Sequence, residues 1–334
     1  MQRNSYKPLF VPESSQSPLQ FSVTPSSPLL NLFPVTSSEE LGWVPSCAAS
    51  DCLPAASWST SFTHSTLDFS YWGRDVSLHG MVEGDVTVQL TSDGQEEFER
   101  RNLSNGTLFK IDGSPLDGLR SHKISVKIVE ASPSARLTIT QANVNGSIYN
   151  SVGEYDRYTI ASNDQALKYT GFSRHPSVVH SGSSTTYMST SAGDKAYARL
   201  NGSMILLYGP CGPSNGIMRV TLDRYEFTSN TSKPLQSDDC LLFQSPGLSP
   251  SFYHELEIEN VDGRAFSLNR VEILRGGSLV LPGSGNTISE IVGIMLFVVL
   301  LAVGVVTVYT AMTKKSTKRF TAETFDESLE PFLR

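Results

Sequence analysis

Up to about residue 290 the apolar residues recur at every second position in short runs. Val76–His79, Val86–Leu90, Ile124–Ile128, Leu137–Thr140, Ile205–Tyr208, Val220–Leu222, Leu256–Ile258 and Phe266–Leu268 all follow this alternation, and Gly, Pro, Asn and Asp punctuate them. A period of two places alternate side chains on opposite faces of a strand, so the runs predict antiparallel sheets with one face inside. No stretch before residue 290 carries helical periodicity. The one departure is Ile291–Met312, a run of 22 residues without a charge. At about 1.5 Å per residue it reaches roughly 33 Å as a helix, enough to cross a bilayer core of about 30 Å. The predicted fold is therefore an all-β ectodomain of two tandem antiparallel β-sandwich or jelly-roll domains followed by one transmembrane α-helix.

The expectation of two domains comes from six blocks that recur in the same order. Phe21–Phe33 matches Tyr158–Thr170 in its apolar positions, and Gly73–Gly80 matches Gly202–Gly209 with both glycines seven apart. Val88–Leu90 aligns with Val220–Leu222, Leu108–Phe109 with Leu242–Phe243, His122–Val126 with His254–Ile258, and Leu137–Val144 with Phe266–Ile273. Each copy is of ordinary sandwich size. The boundaries read as a disordered segment at 1–19, a first domain at 20–145, a linker at 146–156 and a second domain at 157–275. A flexible stalk follows at 276–290, then the helix at 291–312 and a tail at 313–334. In each copy the first glycine is expected to allow a turn or close approach between strands, and the second to end a strand.

Charge gives the helix a direction. Glu290 is the nearest charge before it, whereas Lys314, Lys315, Lys318 and Arg319 follow it closely. Basic residues are retained on the cytoplasmic side, which predicts a single-pass type I protein of the plasma membrane, with a cytosolic C-terminus and the ectodomain outside. A leader would normally precede such an ectodomain, but Met1–Phe10 has no apolar core. The start is accordingly expected to be incomplete; the alternative is translocation that relies on the C-terminal anchor.

With 26 Lys+Arg against 33 Asp+Glu and no basic patch interleaved with aromatics, nucleic acid is not an expected partner. The four cysteines fall on the outer side, and an even count in an oxidising compartment predicts disulfides, most simply Cys47–Cys52 and Cys211–Cys240. A four-cysteine metal site would need paired C-x2-C spacing, which is missing. Sequons at Asn102, Asn105, Asn145, Asn201 and Asn230 agree with an extracellular glycoprotein.

The sequence contains no G-x-S-x-G, H-E-x-x-H or Walker motif, so no enzyme class is indicated, no cofactor is expected and no metal set is assigned. His122 and His254 occupy equivalent strand starts and are read as scaffold hydrogen-bonding groups. Asp93 and Asp223 follow matched strands and are read as turn formers. For glycan recognition the useful groups are aromatics that stack on sugar faces beside polar side chains that bond hydroxyls. Trp58, Tyr71, Trp72, Tyr197, Tyr208 and Tyr225 are the aromatic candidates, although a core position is the commoner fate of such residues. The stretch Gly209–Asn215 is the most distinctive loop, read either as a stapled hairpin or as a binding loop. The candidate ligand-binding set is Trp72, Tyr208, Ser214, Asn215 and Tyr225.

The order Gly42-Trp43, Trp72–Gly80, Leu108-Phe109, His122 and Leu137–Ile139, together with Leu200–Gly216, Cys240–Phe243 and His254–Leu256, resembles tandem jelly-roll ectodomains of fungal single-pass membrane proteins, common in mushroom-forming fungi. That resemblance covers roughly residues 20–312. It implies galactose-binding-like modules at the cell surface that contact carbohydrate. The first copy departs from it, because the Pro-Cys-Gly-Pro turn of the second is replaced by Met81–Gly84, so the two copies are not expected to share a ligand. The expected partners are the lipid bilayer and wall polysaccharide or a surface protein. The alternatives are a sensor relaying to a recruited cytosolic partner, or a membrane-tethered glycoside-active enzyme.

Overall fold

A computed structural model describes residues 15–17, 20–100, 103, 106–113, 120–145, 155–176 and 185–276. The expected transmembrane helix, most of the stalk, the tail and the sequons Asn102 and Asn105 lie outside them. Among the described residues no helix is long and apolar enough to cross a membrane.

The described chain is all-β, and its strands pair antiparallel, mostly between strands that are not consecutive in the chain. Strand β1 (Ser15–Ser17) falls within the segment expected to be disordered. It is followed by β2 (Gln20–Val23), β3 (Leu30–Phe33), β4 (Val44–Pro45), β5 (Trp58–Thr60) and β6 (Thr66–Gly73). Then come β7 (Asp75–Glu83), β8 (Val86–Ser92), β9 (Gln95–Arg100), β10 (Gly106–Ile111), β11 (Arg120–Ala131) and β12 (Arg136–Asn145). The second half opens with β13 (Tyr155–Ala161), so the expected linker already enters a strand at residue 155. It continues through β14 (Lys168–Thr170), β15 (Ser173–Pro176), β16 (Thr185–Ser189), β17 (Lys195–Leu200) and β18 (Met204–Cys211). The last strands are β19 (Ile217–Leu222), β20 (Tyr225–Asn230), β21 (Ser237–Gln244), β22 (His254–Asn260), β23 (Phe266–Leu268) and β24 (Arg270–Gly276). Every alternating run read from the sequence lies in one of these strands.

One sheet of the first half runs β3-β6-β11-β8-β9, and one sheet of the second runs β14-β17-β22-β19-β20 in the same relative order. Opposite them lie β10-β7-β12-β5-β4, and β21-β18-β24-β13 with the small sheet β15-β16-β23. The inward residues meet between the sheets. Leu67, Phe69, Leu90 and Val126 join Leu78, Leu137 and Ile139 in one cluster, while Ala198, Val220 and Ile258 join Ile205, Leu207 and Phe266 in another.

Gly80 and Gly209 lie inside β7 and β18, not at strand ends as expected. A Cβ at Gly80 would collide with the Thr138 carbonyl, and one at Gly209 with the Ser267 carbonyl. Opposite Gly80 the pairing skips a residue between Ile139 and Gln141, and opposite Gly209 the partner strand breaks at Asn269 between β23 and β24. A bulge pushes backbone toward the facing strand, and only glycine leaves room for it.

The turn readings of Asp93 and Asp223 hold in detail. Both have left-handed backbone, with φ of 50° and 57°. Asp93 accepts hydrogen bonds from His122 Nδ1 at 2.9 Å and the Lys123 N–H at 2.9 Å. Asp223 accepts them from His254 Nδ1 at 2.8 Å and the Glu255 N–H at 3.0 Å. Burial pushes both carboxyls up, but these donors outweigh it and hold them below the ordinary aspartate range. Each pair clamps a hairpin turn to the central strand of its sheet.

The two halves share an interior. Met204 and Leu206 of β18, Leu241 of β21 and Leu274 of β24 belong to the cluster of the first half, while their neighbours Ile205, Leu207 and Ile273 face the second. That is why Met204–Leu207 is an unbroken apolar run: β18 is buried on both faces. Polar groups complete the joint. Ser27 Oγ donates to the Leu241 carbonyl at 2.6 Å, the Gln244 carboxamide pairs with both backbone groups of Trp72, and the Asp238 N–H donates to the Ser50 carbonyl at 3.0 Å. Both disulfides form as expected, and Cys211 and Cys240 are fully buried beside the joint.

Lys233 is part of the same joint, its Nζ donating to the Leu30 carbonyl at 2.8 Å. Burial lowers its pKa to about 8. The folded state then binds fewer protons than the unfolded one between about pH 8 and 10.5, so this group adds stability as pH rises through that window. Relative to Lys233→Met, the native protein should gain about 2 kcal/mol between pH 7 and 10. Urea unfolding of both proteins at the two pH values checks this, and a constant difference would contradict it.

Candidate functional site

The residues singled out from the sequence separate in the fold. Tyr208 points into the joint between the halves, where the Arg270 guanidinium stacks 3.8 Å from its ring centroid. Burial and then the nearby Glu272 carboxylate push its phenol well above the usual tyrosine range. Asn215 is 3 % exposed and donates from Nδ2 to the Pro210 and Ala265 carbonyls, both at 3.2 Å. The supposed surface loop Gly209–Asn215 is thus largely interior, with only Pro213 and Ser214 exposed. Trp72 is half-buried and held by Gln244, and Trp58 and Tyr71 are core residues. Tyr225 stands out from the hairpin between β19 and β20.

A network of charges surrounds Tyr208. Arg270 Nη1 donates to both Asp239 oxygens at 2.6 and 2.7 Å, and its Nε donates to Glu272 Oε1 at 2.8 Å. Arg157 lies 3.6 Å from the other Glu272 oxygen and also donates to the Gln20 carbonyl of the first half at 2.9 Å. These groups are mostly covered, so the carboxylates and guanidiniums pair with one another instead of water, and Glu272 Oε2 is held by the Arg157 charge without a hydrogen bond.

A groove of about 1380 Å³ lies on the second half. Its floor follows from strand alternation: Ala196, Ala198, Leu200, Leu256 and Ile258 turn inward, which leaves Tyr197, Arg199, Glu255 and Glu257 outward. Register sets Tyr197 opposite Glu257 and Arg199 opposite Glu255. Strand β14 is only three residues long, with Lys168 opposite Tyr197. Walls come from Tyr158 and Ile160 of β13, the turn Asn163–Gln165 and Tyr253. Arg199 lies 5.1 Å over the Tyr253 ring, and Lys195 pairs with Glu257 at 2.5 Å. Tyr253 and its neighbour Phe252 are 65 % and 67 % exposed, unusual for such side chains.

No family model matches this chain, and no curated protein matches it. Among solved structures, a family two carbohydrate esterase from Cellvibrio japonicus is 15% identical, with 37% of this chain and 34% of that one covered and a TM-score of 0.27. The chain therefore spans about a third of that esterase. A chain in the crystal structure of plant peptide RALF23 in complex with FER and LLG2 is similar at 8% identity, with 71% of this chain and 88% of that one covered and a TM-score of 0.25. A truncated AlyQ with CBM32 and alginate lyase domains gives 8%, 71% and 90%, and 0.20. At such TM-scores none of these likenesses bears on what this chain does.

The groove offers what a sugar chain needs. Tyrosine faces stack on the C–H faces of pyranose rings, and adjacent amides, carboxylates and guanidinium bond the hydroxyls. The corresponding face of the first half carries Asp68, Ser70, Thr91, Lys123 and Ser125, with Trp72, half-buried, as the one aromatic among them. Of the aromatic candidates, Tyr197 alone lines the groove, and Tyr225 stands beside Asp223 at its end. Tyr253, Arg199 and the turn at 163–165 were missed. The one sequence signal for Tyr253 is an aromatic pair in a Ser/Pro-rich stretch directly before a strand. Among the described residues no cluster of His, Cys, Asp and Glu is arranged to hold a metal ion.

Proposed function

We propose that this chain is a membrane-anchored cell-surface protein built from two copies of a jelly roll, of which the second binds carbohydrate in the groove between Tyr197 and Tyr253. The observation that carries this reading is the groove itself: two tyrosines, the Asn163 and Gln165 amides, Glu255 and Arg199 exposed along one open trough. The common strand order and the matched Asp–His clamps support a duplication. The uncharged run Ile291–Met312 with its basic flank supports the anchor and a cytosolic tail. The resemblance to fungal surface proteins favours wall polysaccharide as the polymer.

A glycan array probed with the full chain in detergent tests the proposal. Binding to at least one wall glucan or chitin oligosaccharide is expected. Tyr197→Ala combined with Tyr253→Ala should weaken it about 30-fold, since two stacking contacts of about 1 kcal/mol each are removed. The absence of binding to every wall polymer sinks the carbohydrate reading, and capture of a surface protein by the same tyrosines would replace it.

A further inference from the structure

Asn201 follows β17 at the rim of the groove, inside the sequon Asn201-Gly202-Ser203. Its amide is already in use. Nδ2 donates one hydrogen to the Pro250 carbonyl at 2.9 Å and the other to the Phe252 carbonyl at 2.6 Å. Both acceptors belong to the segment that presents Phe252 and Tyr253. The same segment is tied at its start by the Leu248 N–H donating to the Ser203 carbonyl at 2.8 Å, and by the Ser249 carbonyl 2.9 Å from His254 Nε2. Between these ties, two strongly exposed aromatics sit on a stretch whose central carbonyls are gathered by a single side chain.

We propose that Asn201 is the positioning residue of this aromatic loop, and that its sequon stays unmodified in the folded protein. The argument is one of hydrogens and space. N-glycosylation replaces a hydrogen on Nδ2 with a sugar, so at most one of the two bonds survives. The sugar must also occupy the place where the loop carbonyls lie. A chain glycosylated at Asn201 would hold the loop open, with Tyr253 displaced from Arg199.

The other described sequons differ. Asn145 Nδ2 donates to Asp75 Oδ2 at 2.9 Å, which commits one of its two hydrogens. Asn230 is exposed at the end of β20 and uses its oxygen, accepting from the Ser232 N–H at 3.0 Å, which leaves the nitrogen outward for attachment. Among the described sequons Asn230 is therefore the expected acceptor.

The test uses the full chain from a glycosylating eukaryotic host. Peptide mapping with and without glycosidase should find Asn201 bare and Asn230 occupied; a glycan on Asn201 of the folded protein overturns the proposal. Hydrogen exchange over 248–253 gives the second arm. Asn201→Asp sets carboxylate oxygens against the two carbonyls and should raise exchange there about tenfold while the rest of the sheet is unchanged. Equal exchange in Asn201→Asp and wild type also overturns it, even if no sequon is occupied. The proposal rests on the groove reading only for what the loop presents: a failed glycan array with the exchange pattern intact counts against carbohydrate binding and not against the latch.

Discussion

Leu206→Asp is expected to unfold both halves together. Leu206 is fully buried, and it belongs to the apolar cluster of the first half although it sits on a strand of the second. A carboxylate there has no partner within the cluster, and the leucine contacts of both halves are lost at once. Removing a buried leucine side chain costs about 2–5 kcal/mol, and burying an unpaired charge adds several more. Since whole domains are stable by only about 5–15 kcal/mol, the native state should be lost near neutral pH. Urea unfolding of the wild-type chain in detergent, followed by fluorescence from its three tryptophans, Trp43, Trp58 and Trp72, all in the first half, and by far-UV circular dichroism of the whole, should give one shared transition. Two separated transitions, or a first half that survives Leu206→Asp, would show that the joint is not cooperative. Leu206→Met, which keeps the volume, should stay within about 1.5 kcal/mol of wild type.

Arg270→Ala should be nearly as damaging, through a different mechanism. Its guanidinium is the common partner of Asp239 and Glu272 and covers the Tyr208 ring. Without it, two carboxylates are left in a largely covered space, Asp239 with the Asn269 amide at 3.1 Å and Glu272 with Arg157 at 3.6 Å. Breaking one side of a buried charge network costs about 3–5 kcal/mol, mostly from the charge left unpaired. Arg270→Lys restores the charge but not the forked geometry and should recover only part of the loss. Differential scanning calorimetry on the three proteins decides the point, and a loss under about 1 kcal/mol for Arg270→Ala would mean that water reaches the site.

The sheets were legible because alternation is local: a strand with one wet face writes its burial into every second residue, as Leu67–Tyr71 and Leu256–Ile258 do. The recurring glycines, His122 and His254, and the turn role of Asp93 and Asp223 were legible for the same reason, but the Asp–His contacts and the bulges opposite Gly80 and Gly209 join neighbouring strands and were not. The joint was not. Met204–Leu207 reads as a strand in either case, and nothing local says that its second face is covered by residues more than a hundred positions away. The candidate site suffered in the same way. Tyr208 and Asn215 sit in the most distinctive stretch of the chain, but that stretch is distinctive because it is interior. Arg199 lies on β17 and Tyr253 in the loop just before β22, and only the pairing of those two strands brings them together.

The doubly buried strand β18 also decides how this protein can be taken apart. A cut between residues 146 and 154 looks natural on the sequence, yet either fragment would carry away one side of a shared dry surface. Leu206 and Leu274 would then be bared on one product and their counterparts on the other, which invites self-association. A single isolated half is thus the wrong reagent for structure or binding work, and fragments intended for such use should run through both halves, from Ser15 to Gly276.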